Sequence, residues 1–121
     1  MTDKTKSDTA KSDAANKTLL NYEVIDNTDK QRFEIHIGDQ IAFEDYEFFT
    51  TSQGEKGIDY KHTKVPDELS GQGIAGYLVK HILDDAAAKN LRVKPTCPYV
   101  KSYIDKYPEY KDNSVFHNAT P

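Results

Sequence analysis

The sequence predicts an α+β domain: a mixed, mainly antiparallel sheet in the order β-β-β-β-α-β-α, with two helices packed on it. Three observations lead there. Four runs in the first half alternate apolar and polar residues and are joined by short, turn-rich connections, which reads as an antiparallel meander. From Ile74 the apolar period changes from two residues to between three and four, as in a helix with one buried face. A short strand-like run then follows that helix, and a crossover of this length lets it return parallel to the strand before it.

The elements follow in order. The run 21–26, Asn-Tyr-Glu-Val-Ile-Asp, alternates, and Asn27-Thr28-Asp29-Lys30 supplies turn residues. In the run 32–37 the residues Phe33, Ile35 and Ile37 share one face, and Gly38-Asp39 is a two-residue hairpin signal. The run 41–49 is an aromatic-rich third strand, the loop 50–57 carries Gly54 and Gly57, and the run 58–65 is a fourth strand. Ile74, Ala75, Leu78, Val79, Ile82, Leu83, Ala86 and Ala87 mark a helix of about four turns that stops near Asn90. The run 91–94 is a fifth strand ended by Pro95. A second helix begins near Cys97-Pro98, where proline suits the first helical position, and Tyr99, Val100, Tyr103, Ile104 and Tyr107 form its apolar stripe before Pro108.

The chain has 121 residues, which suggests one folded domain at about 19–112. Residues 1–18 hold no aromatic and no large aliphatic side chain after Met1. They bury too little apolar surface to offset chain entropy and are expected to be a disordered tail. Residues 113–121 are expected to be a flexible C-terminal tail. Net charge is −4, against the basic stripe of a nucleic-acid binder. No apolar run approaches the roughly 20 residues that span a bilayer. The single Cys97 excludes an intrachain disulfide and fits a reducing, cytoplasmic setting. His36, His62, His81 and His117 are scattered without zinc-site spacing, so no metal is expected.

The stretch that carries chemistry is 65–78. A strand stops at Pro66, an acidic loop follows, and Gly71, Gly73 and Gly76 lead into the first helix. Backbone N–H groups at a helix start have no intrahelical acceptor and the helix dipole is positive there, so the place suits phosphate. Gly71-Gln72-Gly73-Ile74-Ala75-Gly76 satisfies G-x-G-x-x-G. A dinucleotide unit, however, needs an acidic residue at the end of the next strand, and here that strand ends in Lys94 and Pro95. A P-loop needs Gly-Lys-Ser/Thr after the glycines. Two readings remain: a metal-free pyrophosphate site on the amides of Gln72 to Gly76, or glycines that only shape a turn.

The order of elements and this loop together resemble the GNAT-type N-acetyltransferases, and within them the small single-domain GNAT-like proteins. The resemblance runs from about Phe33 to Tyr110. Its residues are Thr63-Lys64-Val65-Pro66, Leu69-Ser70-Gly71-Gln72-Gly73-Ile74-Ala75, Val93-Lys94-Pro95-Thr96-Cys97-Pro98-Tyr99-Val100 and Tyr107-Pro108-Glu109-Tyr110. The general loop of that family opens with Arg or Gln where Ser70 stands, and the small family has histidine where Tyr107 stands. The resemblance implies acetyl-CoA as co-substrate. Its pyrophosphate would meet Ser70, Gly71, Gln72, Gly73, Ile74, Ala75 and Gly76, and its pantetheine arm would run between the fourth and fifth strands past Thr63, Val65 and Pro95. It implies an N-acetyltransferase with an unknown amine acceptor, small or on a protein; the charge and hydropathy add no nucleic acid and no membrane, and a monomer is expected.

Acetyl transfer needs a neutral amine, a polarised thioester and an acid for the leaving thiolate. Cys97, beside a helix start that favours thiolate, is the candidate catalytic residue, as acetyl acceptor or as acid; the alternative is a small buried apolar residue next to Pro98. Asp59, His62, Glu44, Asp45 and Glu47 are candidate bases, or solvated sheet residues. Strict alternation puts Tyr60 and His62 on one face and Asp59, Lys61 and Thr63 on the other. Tyr46, Phe48, Phe49, Tyr99 and Tyr103 could line an acceptor cleft or form core. A non-catalytic acyl-CoA-binding or interaction module is the alternative function.

Overall fold

A computed structural model describes residues 22–116. The expected tail 1–18, the first residues of the expected domain, 19–21, and the end of the C-terminal tail, 117–121, lie outside the described residues. The five strands are β1 (Ile25–Asn27), β2 (Arg32–Ile37), β3 (Gln40–Thr50), β4 (Lys56–Lys64) and β5 (Arg92–Pro95). They form one sheet in chain order, with β1 to β4 antiparallel and β5 parallel to β4. Helix α1 (Ile74–Ala88) links β4 to β5, and α2 (Pro98–Lys106) follows β5. The α+β architecture in the order β-β-β-β-α-β-α is therefore the observed one. Two 3-10 turns, Asp67–Leu69 and Pro108–Asn113, were not anticipated.

Local chemistry explains the boundaries. Gly38, at φ +60°, makes the turn between Ile37 and its partner Gln40. Helix α1 ends in a Schellman motif: Asn90 is left-handed at φ +57°, its N–H donates to Ala87 O at 3.1 Å, and Leu91 N–H donates to Ala86 O at 2.9 Å. The first strand is shorter than its alternating run. Tyr22 turns away instead, accepting a hydrogen bond on its carbonyl from Tyr77 Oη at 2.9 Å.

The core lies between one face of the sheet and the two helices. Phe33, Ile35, Ala42, Tyr46, Ile58, Tyr60 and Val93 from the strands meet Leu78, Val79, Ile82 and Leu83 of α1 and Val100 and Ile104 of α2. Tyr60 is fully buried, and its phenol donates to the carbonyl of Ile82 at 2.7 Å. That bond satisfies the polar atom that burial would otherwise leave bare. Residues 113–116, read from sequence as tail, are partly anchored. Val115 N–H donates to Val93 O at 2.8 Å, Asn113 Nδ2 to Leu91 O at 2.5 Å, and Ser114 is buried beside β5.

The β3–β4 ladder contains one irregularity that matters for the site. Asp45 faces His62, but the next residue, Tyr46, faces Tyr60. Lys61 is therefore the extra residue of a β-bulge. Past it the alternation of β4 is reversed, so Thr63 lies on the same face as Tyr60. This corrects the strict alternation, which had put Thr63 on the opposite face.

Candidate active site

Strands β4 and β5 part at a defined point. Their pairing ends at Tyr60 and Pro95, and Cys97 N–H then donates to Tyr60 O at 2.9 Å, closing the ladder. The β5 strand bends away into α2, while β4 continues through Lys61 to Lys64. Among the described residues, the backbone of β4 beyond Tyr60 therefore has no paired strand on the β5 side. Thr63 and Val65 are half-buried along this gap, Pro95 is buried at its apex, and Cys97 is buried at the N-cap of α2.

The start of α1 follows β4 in the chain, through Val65, Pro66 and the turn Asp67–Leu69. Gly71 (φ +79°) and Gly73 (φ +81°) take the left-handed backbone that glycine adopts without strain, and Gly73 is the N-cap. The first α1 amide to find an intrahelical acceptor is that of Tyr77, donating to Gly73 O at 3.0 Å. The amides of Ile74, Ala75 and Gly76 precede it in the first turn, where no helical carbonyl is within reach. The Ile74 side chain itself is buried in the core, so this residue offers only its backbone. Ser70 Oγ donates to Asp67 O at 2.9 Å, and Gln72 Nε2 reaches Glu68 O at 3.4 Å. Both side chains are turned back onto the preceding 3-10 turn. A cavity of about 360 Å³ adjoins Gly76 and is lined by Tyr99, Ser102, Tyr103, Lys106 and Tyr107 of α2 and its end. Lys106 is the cation of this lining.

Burial separates the candidate bases. Glu44 is fully buried on the core face, and Thr63 Oγ1 donates to its Oε1. Thr63 Oγ1 is also 3.2 Å from Cys97 Sγ. Among the described residues, Glu44 Oε2 is buried and has no hydrogen-bond partner. Burial pushes this carboxyl up to about 8, an effect that the Thr63 hydrogen bond opposes and the nearby Asp45 charge reinforces. Glu34, nearly as buried but on the other face, goes the opposite way. Burial would raise it too, but donors on Arg32, His36 and Asn27 outweigh that and hold it at about 2.

The other candidates lie apart. His62 Nδ1 is 3.8 Å from Asp45, Glu47 accepts from Lys61 Nζ at 3.3 Å, and Asp59 accepts from Thr96 Oγ1 at 2.5 Å. Sequence placed Glu44 among five acids and histidines without distinguishing it. The readable signal was its position between Ala42 and Tyr46 on a core-facing strand, where alternation makes a carboxylate unusual. The aromatic residues divide: Tyr46 is core, whereas Phe48 and Tyr99 are exposed. Phe48 and Tyr46 belong to a larger cavity of about 550 Å³ with Phe33, Ile58, Asp85 and Lys89. It lies at the far end of α1 from Gly73, away from Thr63 and Cys97.

The family model described as GCN5-related N-acetyl-transferase matches residues 32–113, which spans β2 through the turn after α2. The chain belongs to the GCN5-related N-acetyltransferase family. Protein NATD1 of Xenopus tropicalis is 38% identical over 55 residues, covering 46% of this chain and 50% of that protein. Protein NATD1 of Homo sapiens is 38% identical over 55 residues, 46% of this chain and 49% of its own length. The Danio rerio protein of that name is 33% identical over the same length. The chain thus spans about half the length of the curated relatives it matches. Among the described residues, no helix is long and apolar enough to cross a membrane, and no group of three or more His, Cys, Asp or Glu could hold a metal ion.

Proposed function

We propose that this protein transfers the acetyl group of acetyl-CoA to an amine. The observation that carries the reading is the gap where β4 runs past β5, bounded by Cys97, in a chain whose next helix, α1, begins with first-turn amides that lack a helical acceptor. An amide-rich pantetheine arm can pair with the free edge of β4 near Thr63 and Val65 as an added strand would, with Pro95 at the apex where the strands part. The pyrophosphate then meets the amides from Gly71 to Gly76, and the positive end of the helix dipole favours its charge. Lys106 and Tyr99, in the cavity beside Gly76, supply a cation and a ring to the nucleotide end. This compensates for the short Ser70, whose hydroxyl is occupied by Asp67. Cys97, at the N-cap of α2, is the candidate acetyl acceptor.

Calorimetric titration with acetyl-CoA, followed by release of free CoA over a panel of small amines and peptide amines, tests the reading. Heat on binding with amine-dependent CoA release is expected; absence of both sinks it. The occupied Ser70 hydroxyl also favours a second reading, a non-catalytic acyl-CoA-binding module. Binding without CoA release by any amine would select that one.

A further inference from the structure

We propose that Glu44 is the proton acceptor for Cys97, acting through the hydroxyl of Thr63, when Cys97 takes an acetyl group from a thioester. The inference deepens the reading above and rests on Cys97 as acetyl acceptor.

The direction of the chain follows from proton count. A threonine hydroxyl has one proton, and Thr63 gives it to Glu44 Oε1. Once Glu44 is ionised its oxygens only accept, so the lone pairs of Thr63 Oγ1 face Cys97 Sγ at 3.2 Å and the thiol is the donor of that contact. The relay therefore reads Cys97 S–H to Thr63 O–H to the Glu44 carboxylate, polarised to draw the proton off sulfur. A packing role does not account for the carboxyl. Among the described residues it sits fully buried, with Oε2 unpartnered and with no cation in contact, a costly arrangement that an apolar residue would relieve.

Cys97 Sγ attacks the acetyl carbonyl and a new S–C bond forms. The thiol proton passes to Thr63 Oγ1 as the threonine proton passes to Glu44. The bond from the acetyl carbon to the donor sulfur breaks, and the departing thiolate takes a proton back along the same chain. An incoming amine then displaces the acetyl group from Cys97, and the amine proton ends on the Cys97 sulfur. No redox partner is needed. Among the described residues the groups that face Glu44 are these, with the backbone N–H of His62 on β4 as a further donor to the carboxyl. Asp45 is on its own strand, Tyr60 and Thr63 are on β4, and Cys97 comes from the α2 start. Its β2 partner is Phe33, and the buried face of α1 is apolar throughout.

The test uses the full chain and two donors: acetyl-CoA, and S-acetyl-N-acetylcysteamine, which lacks the pyrophosphate. Intact-protein mass follows acetylation of Cys97 against pH, with Cys97→Ala as the blank. In the wild type the rate should rise through a midpoint near 8 with both donors. Glu44→Gln should lower it by roughly 10²-fold and remove that inflection. Thr63→Val should do the same and Thr63→Ser should restore the wild-type profile, so the proposal remains testable if Glu44→Gln folds poorly. A Glu44→Gln or Thr63→Val protein with the wild-type rate and pH profile overturns it, as does a Cys97 that neither donor acetylates. If the truncated donor shows the Glu44 dependence while acetyl-CoA does not bind, the relay stands and the CoA reading falls.

Discussion

Glu44 makes a stability prediction that needs no ligand. Its carboxyl is moved from the ordinary value of 4.5 to about 8 by burial. The folded chain therefore holds this proton more tightly than the unfolded chain. Between 4.5 and about 8, unfolding releases it, so stability falls as pH rises through that window and is flat with respect to this group above it. A displacement of that size corresponds to a penalty on the order of 3–5 kcal/mol on ionising Glu44 in the fold. Glu44→Gln has nearly the same shape and no ionisation, so it removes this slope. Its absolute stability is not the readout, because a buried amide with an unpaired atom costs about 1–3 kcal/mol at every pH. The readout is the change with pH. Urea unfolding followed by circular dichroism, at about pH 5 and about pH 9, should show the variant gaining on wild type by at least about 2 kcal/mol across the interval. Curves that stay parallel within about 0.5 kcal/mol would refute the buried, ionisable Glu44.

Three further outcomes follow from named contacts. Gly73, at φ +81°, tolerates Asn better than other side chains, so Gly73→Asn serves as the neutral control for Gly73→Asp. The Asp variant should bind CoA at least about tenfold more weakly than the Asn variant, because its charge opposes phosphate at the helix start; equal affinities by calorimetry would move the phosphate elsewhere. Cys97→Ala should bind CoA as wild type does and show no acetylated protein by mass; acetylation that persists in it would assign the acceptor to another residue. Tyr60→Phe removes the buried bond to the Ile82 carbonyl and should cost about 1–2 kcal/mol in chemical denaturation with CoA affinity unchanged. An unchanged midpoint would mean that water replaces the phenol.

The sequence carried the architecture because each element had its own signal. Alternation in 32–37 and 41–49, the three- and four-residue steps from Ile74, Asn90 at a left-handed stop and Pro98 at a helix start all act locally. The glycine-rich turn was legible for the same reason. The constellation of Glu44, Thr63 and Cys97 was not, because it depends on Lys61. Nothing in Asp59-Tyr60-Lys61-His62-Thr63 marks the extra residue of a bulge. Pairing with β3 alone fixes it, and one residue of register moves Thr63 to the other face. The anchoring of Ser114 and Val115 beside Val93 is likewise a tertiary fact, written in no local pattern. The Ser70 hydroxyl, standing where the family has Arg or Gln, braces the Asp67–Leu69 turn, a contact that no local pattern announces.

The claim at the centre of this account is that the opening between β4 and β5 and the α1 start together receive acetyl-CoA. Amide chemical-shift mapping during titration with acetyl-CoA tests it most directly. The account predicts the largest shifts at Gly71 to Gly76 and along Thr63 to Val65, with smaller ones at Lys106. Saturating acetyl-CoA with no shift at Gly71 to Gly76, or shifts confined to the cavity around Phe48 and Asp85, would contradict it.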